Sequence, residues 1–426
     1  MDNIWNNKLS GKDLKNEIIA GVTGFFAISY IMIVNPIILG DAAIPANLSV
    51  FATIFSSALG CILMSLWANS PIIITPGMGV NAFFTYTLVI GMHLSWQQAI
   101  SISIVSSVLY MIVAFSKISD VLSRDIPDTL KNGITVGIGL FLVVVGLEKA
   151  GLIQSGGKQS LLMLGNMSQP TVLLSIFGLV VTLILFLNNV TGSFIIGIVL
   201  TSILSLFLNI SSPIASTSVG DLGSMTKILF QGDFSDLFSF KFLLAVFSMT
   251  MILVFESMGI LEGLLPDNTK FKKSFQASSV STFISGFLGT SPTVAAAESA
   301  SGIESGGRTG IMSLTSGILF LLSIFFIPLL KYVPEQAIAP VIIITGALMM
   351  QQLQNINYQD LSEWIPAFLI LVIIPLSGSI SAGMAFGFVS YPFLKFITGK
   401  KEQVNYVIVV VGCLFLLQLI CDALLV

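Results

Sequence analysis

Ile72-Ile73-Ile74-Thr75-Pro76-Gly77-Met78-Gly79-Val80-Asn81-Ala82-Phe83 interrupts an apolar span with residues that a membrane helix avoids. The isoleucines favour extended backbone, Pro76 removes a donor, and Gly77 and Gly79 lower helix propensity. Non-helical backbone is tolerated at membrane depth only where protein buries it or where it lines a cavity. The stretch therefore predicts an extended half, a break at Thr75–Gly77, and a half-helix from Met78 onward with Asn81 one turn in. A second interruption reads Gly289-Thr290-Ser291-Pro292-Thr293-Val294-Ala295-Ala296-Ala297-Glu298. Here Ser291 can cap and Pro292 suits the first position of a helix. That reading starts a half-helix at Pro292 and sets Glu298 past its first turn. Two interrupted segments in corresponding places of two halves point to a transporter binding site.

The rest of the composition agrees. Hydrophobic residues make up 55% of the chain and charged residues 9%, with a mean hydropathy of +0.97. A soluble chain carries about 25% charged residues. The fold class is an all-α polytopic membrane protein, and its net charge of −3 carries no message about nucleic acid. Cys61, Cys413 and Cys421 are isolated in apolar segments, so neither a disulfide framework nor a metal site is expected. No cleavable signal is expected either; the first long apolar span serves as its own insertion signal.

Apolar segments fall at roughly 17–39, 49–68, 72–90, 96–115, 127–148, 171–187 and 191–210. After a serine-rich polar stretch, a second series falls at roughly 239–261, 274–289, 291–303, 309–331, 335–352, 362–377 and 379–397, with a last apolar stretch at 404–425 that either spans or lies along the surface. Several are shorter than the ~20 residues of a straight spanning helix. With the N-terminus in the cytoplasm, Lys149, Lys158, Lys227, Lys241 and Lys331 alone of the 18 lysines and arginines fall outside, the orientation that positive charge favours. Seven segments, a linker and seven more place the halves in opposite orientations. Internal matches support a repeat: Ile126-Pro127-Asp128 against Val333-Pro334-Glu335, Gly139 against Gly346 at the same spacing, and Pro76 against Pro292. Inverted repeats put the substrate near the membrane midplane, at the repeat interface.

In these residues the chain resembles a known family, the AzgA-type adenine–guanine–hypoxanthine permeases, a branch of the nucleobase–cation symporters with the nucleobase–ascorbate transporter-like fold. The resemblance covers nearly the whole chain. It rests on Glu17-Ile18-Ile19-Ala20-Gly21, Tyr30-Ile31, Val34-Asn35-Pro36, Pro76-Gly77-Met78-Gly79, Asn81-Ala82 and Gly137-Ile138-Gly139-Leu140-Phe141. It continues through Ser291-Pro292, Glu298-Ser299, Gly306-Gly307-Arg308-Thr309-Gly310, Ala385-Phe386-Gly387-Phe388 and Ser390-Tyr391. The resemblance implies two inverted seven-segment repeats, about 14 transmembrane segments, with short strands in broken segments 3 and 10. It implies a core domain at 1–118 and 239–331 and a gate domain at 119–238 and 332–426. It also implies a purine base held between segments 3 and 10 by carboxylates on segments 8 and 10, with uptake coupled to protons. Carried onto this chain, the positions are Asn81, Glu256 and Glu298. One departure stands out: where the family has Asp followed by Thr-x-Gly-Thr, this chain has Glu256-Ser257-Met258-Gly259-Ile260.

Read from the residues alone, Glu256 lies in the apolar run Leu253-Val254-Phe255-Glu256-Ser257-Met258. A carboxylate inside a membrane costs a few kcal/mol and marks a functional site by default. It can exchange a proton and offers two acceptor oxygens to N–H groups on a purine edge. The competing reading is a structural glutamate bonded to a neighbouring helix. Glu298 is read as substrate contact and proton site, or as an anchor for the crossing of the two breaks. Asn81 can donate and accept to a heterocycle, or cap broken backbone. Phe83 and Phe255 can stack on a planar base, although packing is the commoner fate of the 32 phenylalanines. Thr75, Gly77, Gly79, Ser291 and Thr293, at the breaks themselves, complete the candidate substrate site. Arg308 is expected to order its glycine-rich turn, Glu148 and Lys149 to form a boundary pair, and His93 to sit in a loop.

The expected function is proton-coupled uptake of a purine nucleobase across the cell membrane, with partners limited to base, proton and lipid bilayer, no nucleic acid and no cofactor. A uracil or xanthine carrier is the nearest alternative. An anion carrier is further off because no arginine or lysine flanks either break, and a channel remains an option from broken helices alone. An enzyme would need a nucleophile–base pair or metal ligands, which one histidine and three scattered cysteines do not supply. The sequence leaves open whether the chain works alone or as a homodimer.

Overall fold

The computed structural model describes residues 11–157, 160–210 and 219–425; Lys8 and Lys158 lie outside the described residues. The elements run, in chain order, α1 (Gly11–Ile28), α2 (Ile31–Asp41), α3 (Ala46–Leu63, continued as a π-helix over Met64–Ala68), β1 (Ile74–Pro76), α4 (Met78–Ala82, continued as a π-helix over Phe83–Gly91), α5 (Trp96–Phe115), α6 (Ile118–Asp125) and α7 (Asp128–Lys149). An outer hairpin, β2 (Ile153–Ser155) and β3 (Leu162–Leu164), leads to α8 (Pro170–Leu187) and α9 (Ser193–Phe207). The second half contains α10 (Phe240–Leu264), α11 (Phe271–Phe287), β4 (Thr293–Ala295), α12 (Ser299–Glu304), α13 (Gly310–Leu322), α14 (Ala339–Met349), α15 (Leu361–Ser377), α16 (Ile380–Ile397) and α17 (Tyr406–Leu425).

Among the described residues nine helices are long and apolar enough to cross a membrane, and four shorter apolar helices accompany them. The chain is a multi-pass, mostly helical membrane protein. The last apolar stretch, left open by its sequence, packs lengthwise on α16. Phe415 of α17 meets Phe388 and Phe247 at 5.1 and 4.8 Å between ring centroids.

Small residues let the helices approach closely. Where α7 crosses α14, a Cβ on Gly139 would lie 2.6 Å from the carbonyl oxygen of Gly346, and one on Gly346 would lie 2.5 Å from that of Gly139. The two glycines matched along the sequence thus lie against each other. In a membrane, where lipid tails are as apolar as leucine, such close packing supplies much of the helix association.

Away from Glu256 and Glu298, ion pairs form at helix ends. Lys395 of α16, wholly buried, pairs with Asp360 at 3.2 Å and Glu363 at 3.0 Å, and Glu363 accepts from Thr129 of α7 at 3.0 Å. Lys400 pairs with Asp360 at 2.7 Å. Glu148 and Lys149 end α7, the expected boundary, and Lys149 reaches Asp41 of α2 at 2.7 Å, which also accepts from Tyr86 at 2.8 Å.

Two predictions follow from this packing. Gly139→Ala pushes α7 off α14 and is expected to destabilise the solubilised protein by about 1–3 kcal/mol, read as a lower thermal midpoint. The second concerns Asp360, whose carboxyl Lys400, the Ser362 hydroxyl and Lys395 hold below the usual aspartate range. A depressed folded-state value stabilises above the unfolded value of about 3.9 and loses that contribution as pH falls toward the folded one. The thermal midpoint should therefore drop as pH is lowered through the range below about 4, and Asp360→Asn should flatten that drop.

Candidate functional site

The two interrupted stretches meet. β1 and β4 pair antiparallel, with Ile74 opposite Ala295, Thr75 opposite Val294 and Pro76 opposite Thr293. The pairing extends one bond at each end, Gly77 N–H to the Pro292 carbonyl at 3.2 Å and Ala296 N–H to the Ile73 carbonyl at 2.9 Å. Pro76 can sit in a strand here because no ladder bond needs its missing N–H at the end of so short a pair.

The remaining extended backbone is satisfied by side chains from helices packed around it. Ser299 accepts from Ile73 N–H at 2.9 Å, and Ser313 donates to the carbonyls of Ser70 and Ile72, each at 2.7 Å. Thr282 donates to the Thr293 carbonyl at 2.6 Å. Asn35 of α2 donates to Thr53 at 2.7 Å and to Thr290 at 3.0 Å, and accepts from Ser291 at 3.1 Å. This answers what the Val34-Asn35-Pro36 motif does: it ties α3 and the approach to β4 together.

The first break follows the sequence reading: Gly77 is extended and α4 starts at Met78, with Asn81 one turn in. The second requires a correction. Pro292 does not start a helix. Thr293–Ala295 form a strand, and α12 begins only at Ser299, so Glu298 precedes the helix instead of standing a turn inside it. A proline flanked by small polar residues fits a helix start or an edge strand equally well. The partner strand decides, because Gly77 needs the Pro292 carbonyl.

Glu256 of α10 is half-buried against the start of α4. A Cβ on Gly77 would lie 3.0 Å from its Oε1, and one on Gly79 would lie 2.9 Å from its Oε2. Glycine at both positions is what lets the carboxylate approach this backbone. Oε2 has no hydrogen-bond partner among the described residues, although the amides of Gly79 and Val80 lie close by. Asn81, wholly buried, has no partner for either its Oδ1 or its Nδ2, and neither has the Thr85 hydroxyl one turn on. Buried polar atoms without partners are rare in folded proteins and call for an explanation.

Glu298 is half-buried and lies within electrostatic reach of Glu256. Its Oε1 accepts from the Tyr30 hydroxyl, which in turn accepts from Thr345 of α14 at 3.4 Å. Tyr30 lies at the break between α1 and α2 and is wholly buried. The sequence marked Tyr30 only as part of a family motif, with no role, and Thr345 and Thr85 not at all. A lone tyrosine in an apolar segment is the one available signal, since its hydroxyl must find a partner when buried.

The other candidates divide. Ser291 and Thr293 spend their hydroxyls on the scaffold, Thr293 against Ser281 at 2.8 Å. Thr75 is 2% exposed, with its side chain turned to its own strand at 3.5 Å from the Pro76 carbonyl. Phe83 is wholly buried, and Phe255 stacks on Phe388 at 5.8 Å and 13°, which covers one of its faces. Arg308 orders its turn as expected, donating to the carbonyls of Ile303 and Gly307 at 2.5 and 2.7 Å while Glu17 accepts from its amide at 2.9 Å. No group of histidine, cysteine and carboxylate side chains among the described residues could hold a metal ion.

A crosslink tests the meeting of the breaks. Antiparallel strand partners stand about 4.5–5.5 Å apart at Cα, within disulfide range. With the native cysteines replaced, Thr75→Cys together with Val294→Cys should form a disulfide under mild oxidant, seen as a mobility shift that reductant reverses. Absence of that bond in folded protein would end this picture of the site.

Comparison with known proteins gives a consistent result. The family model described as Permease family (Xan_ur_permease) matches residues 15–386. "Nucleobase transporter PlAzg2" of Paenibacillus larvae is 41% identical over 90% of this chain and 78% of its own length. "Guanine/hypoxanthine permease PbuO" of Bacillus subtilis is 37% identical over 95% of this chain and 97% of its own. "Adenine permease AdeP" of Escherichia coli is 34% identical over 99% and 96%. Among solved structures, the transmembrane domain of the cyanobacterial bicarbonate transporter BicA superposes with a TM-score of 0.65 at 15% identity, over 89% of this chain and 99% of that one. At that identity the likeness speaks for the fold alone.

Proposed function

The chain belongs to the Xan_ur_permease family, and from that premise we propose that it takes up purine nucleobases across the cell membrane, coupled to protons. It is a transporter and not an enzyme. The observation that carries the reading is the set of buried polar atoms at the start of α4 that have no partner among the described residues: Glu256 Oε2 from α10, and Asn81 Oδ1 and Nδ2. A purine edge alternates N–H donors with ring-nitrogen or carbonyl acceptors, so it complements an acceptor-only carboxylate beside an amide that both gives and takes. Adenine, guanine and hypoxanthine are the candidate bases, because the relatives' names specify them.

We assign Glu256 the larger share of proton binding, together with recognition, and Glu298 recognition plus support of the crossing. The hydrogen bonding supports this division. Glu298 is held by a side chain, the Tyr30 hydroxyl, whereas Glu256 lies against the backbone at the start of α4. The proposed architecture has two inverted seven-segment repeats, with α1–α5 and α10–α13 carrying the substrate against α6–α9 and α14–α17. The meeting of repeat-matched residues supports it. Gly139 lies on Gly346, and the two breaks that carry Pro76 and Pro292 pair antiparallel. The N-terminus is placed in the cytoplasm by the distribution of lysine and arginine.

Uptake of labelled hypoxanthine and adenine in cells lacking their own carriers tests the reading, with guanine, xanthine and uracil as competitors. Accumulation should rise as external pH falls and collapse with a protonophore; uptake that requires sodium and ignores pH would refute proton coupling. Glu256→Gln should abolish pH-dependent accumulation while leaving some base exchange. Glu298→Gln should weaken affinity most, since a hydrogen bond to a charged group is worth about 1.5–3 kcal/mol. If Glu256→Gln accumulates normally while Glu298→Gln loses accumulation with affinity intact, the two roles are reversed.

A further inference from the structure

We propose that Tyr30 is a positioning residue that holds Glu298 for the base and passes its state on to α14 through Thr345. The proposal rests on the reading of Glu298 as a base contact. Three observations carry it. The Tyr30 hydroxyl lies between Glu298 Oε1 and the Thr345 hydroxyl, so one phenol joins the crossing of the breaks to α14. Tyr30 and Thr345 are both buried, and burial leaves a severed link in that chain without water to replace it. The ring itself is held edge-on against Phe194 of α9 at 5.0 Å and 74°. Ring and hydroxyl therefore both touch elements assigned to the gate, while the hydroxyl holds a side chain of the substrate-carrying part.

The phenol has one proton and can also accept. Facing an ionised Glu298 it donates to the carboxylate and accepts from Thr345. When Glu298 holds a proton, the carboxyl becomes the donor, and the phenol proton is free to turn toward Thr345. The hydrogen-bond chain then runs in the opposite direction, and α14 meets a donor where it had met an acceptor. A change of state at Glu298 is thereby felt at a contact that must shift if the substrate-carrying part moves against α14. No bond other than these hydrogen bonds is made or broken.

The test uses the full chain reconstituted in liposomes, with tritium-labelled hypoxanthine as the probe. Tyr30→Phe keeps the ring against Phe194 and removes only the hydroxyl. Base affinity is expected to fall roughly tenfold or more, the range of a lost hydrogen bond to a charged group. Thr345→Val, close in shape, should leave affinity within about twofold while maximal uptake falls severalfold, a split that a merely structural residue does not produce. The double variant should transport no worse than Tyr30→Phe alone, because residues of one chain are not additive. Unchanged affinity in Tyr30→Phe, or additive losses in the double variant, overturns the proposal. Glu298→Gln separates the two levels. If it weakens binding while Tyr30→Phe does not, Tyr30 alone is misassigned; if it leaves affinity intact, the reading of Glu298 itself fails. Monodisperse elution and a normal number of binding sites identify folded protein in every arm.

Discussion

Six residues of strand, three from each end of a long sequence separation, are the constraint on which the rest of the structure depends. A backbone N–H or C=O left unpaired in hydrocarbon costs several kcal/mol, so a chain that leaves the helix at membrane depth must find every partner within the protein. Neither β1 nor β4 can do so alone. Their pairing satisfies one edge of each, and Ser299, Ser313, Thr282 and Ser285 satisfy the other exposed groups. The two halves of the chain must therefore fold against each other. The serine and threonine content of α11 and α13, unremarkable as composition, is accounted for by this demand.

Once the backbone is paired, the breaks leave a short helix start beside a carboxylate. Gly77 and Gly79 are required there by the close approach of Glu256, since a side chain at either position would collide with its oxygens or with Val294. The same economy of volume recurs at Gly139 and Gly346, where two helices approach to backbone contact. Small residues thus do two different things in this fold: they bring helices together, and they let a charged group reach backbone.

Much of this was legible in the sequence, and the exceptions are instructive. The first break could be read because Pro76, Gly77 and Gly79 all oppose a continuous helix, and local chemistry was enough. The second was read one element out of place. Ser291-Pro292 has the local signature of a helix start, and only the partner strand, more than half the chain away, makes it extended. Glu256 and Asn81 stood out because a polar group in an apolar run is costly wherever it lies. Tyr30 entered only within a family motif and without a role, because a tyrosine is half apolar and its cost appears only when burial of the hydroxyl is known. The family resemblance supplied Glu298 as a site residue, but its bond to Tyr30 belongs to tertiary structure.

On the proposed repeat, backbone and chemistry obey different symmetry. The two breaks pair as antiparallel strands, and matched glycines lie on each other at the α7–α14 crossing. The spacing that matches Pro76 to Pro292 sets Glu298 against Ala82 and Asn81 against Ala297. Neither functional side chain has a polar counterpart. A symmetric frame suits a carrier that must present one site alternately to two sides, since the two arrangements can then be close in energy. A symmetric set of side chains would not suit a purine, whose donors and acceptors are ordered along its edge and have no dyad. On the proposed reading, an amide from the first half and two carboxylates from the second would give the base one orientation. They also leave both carboxylates on elements of the same half, close enough to sense each other's charge.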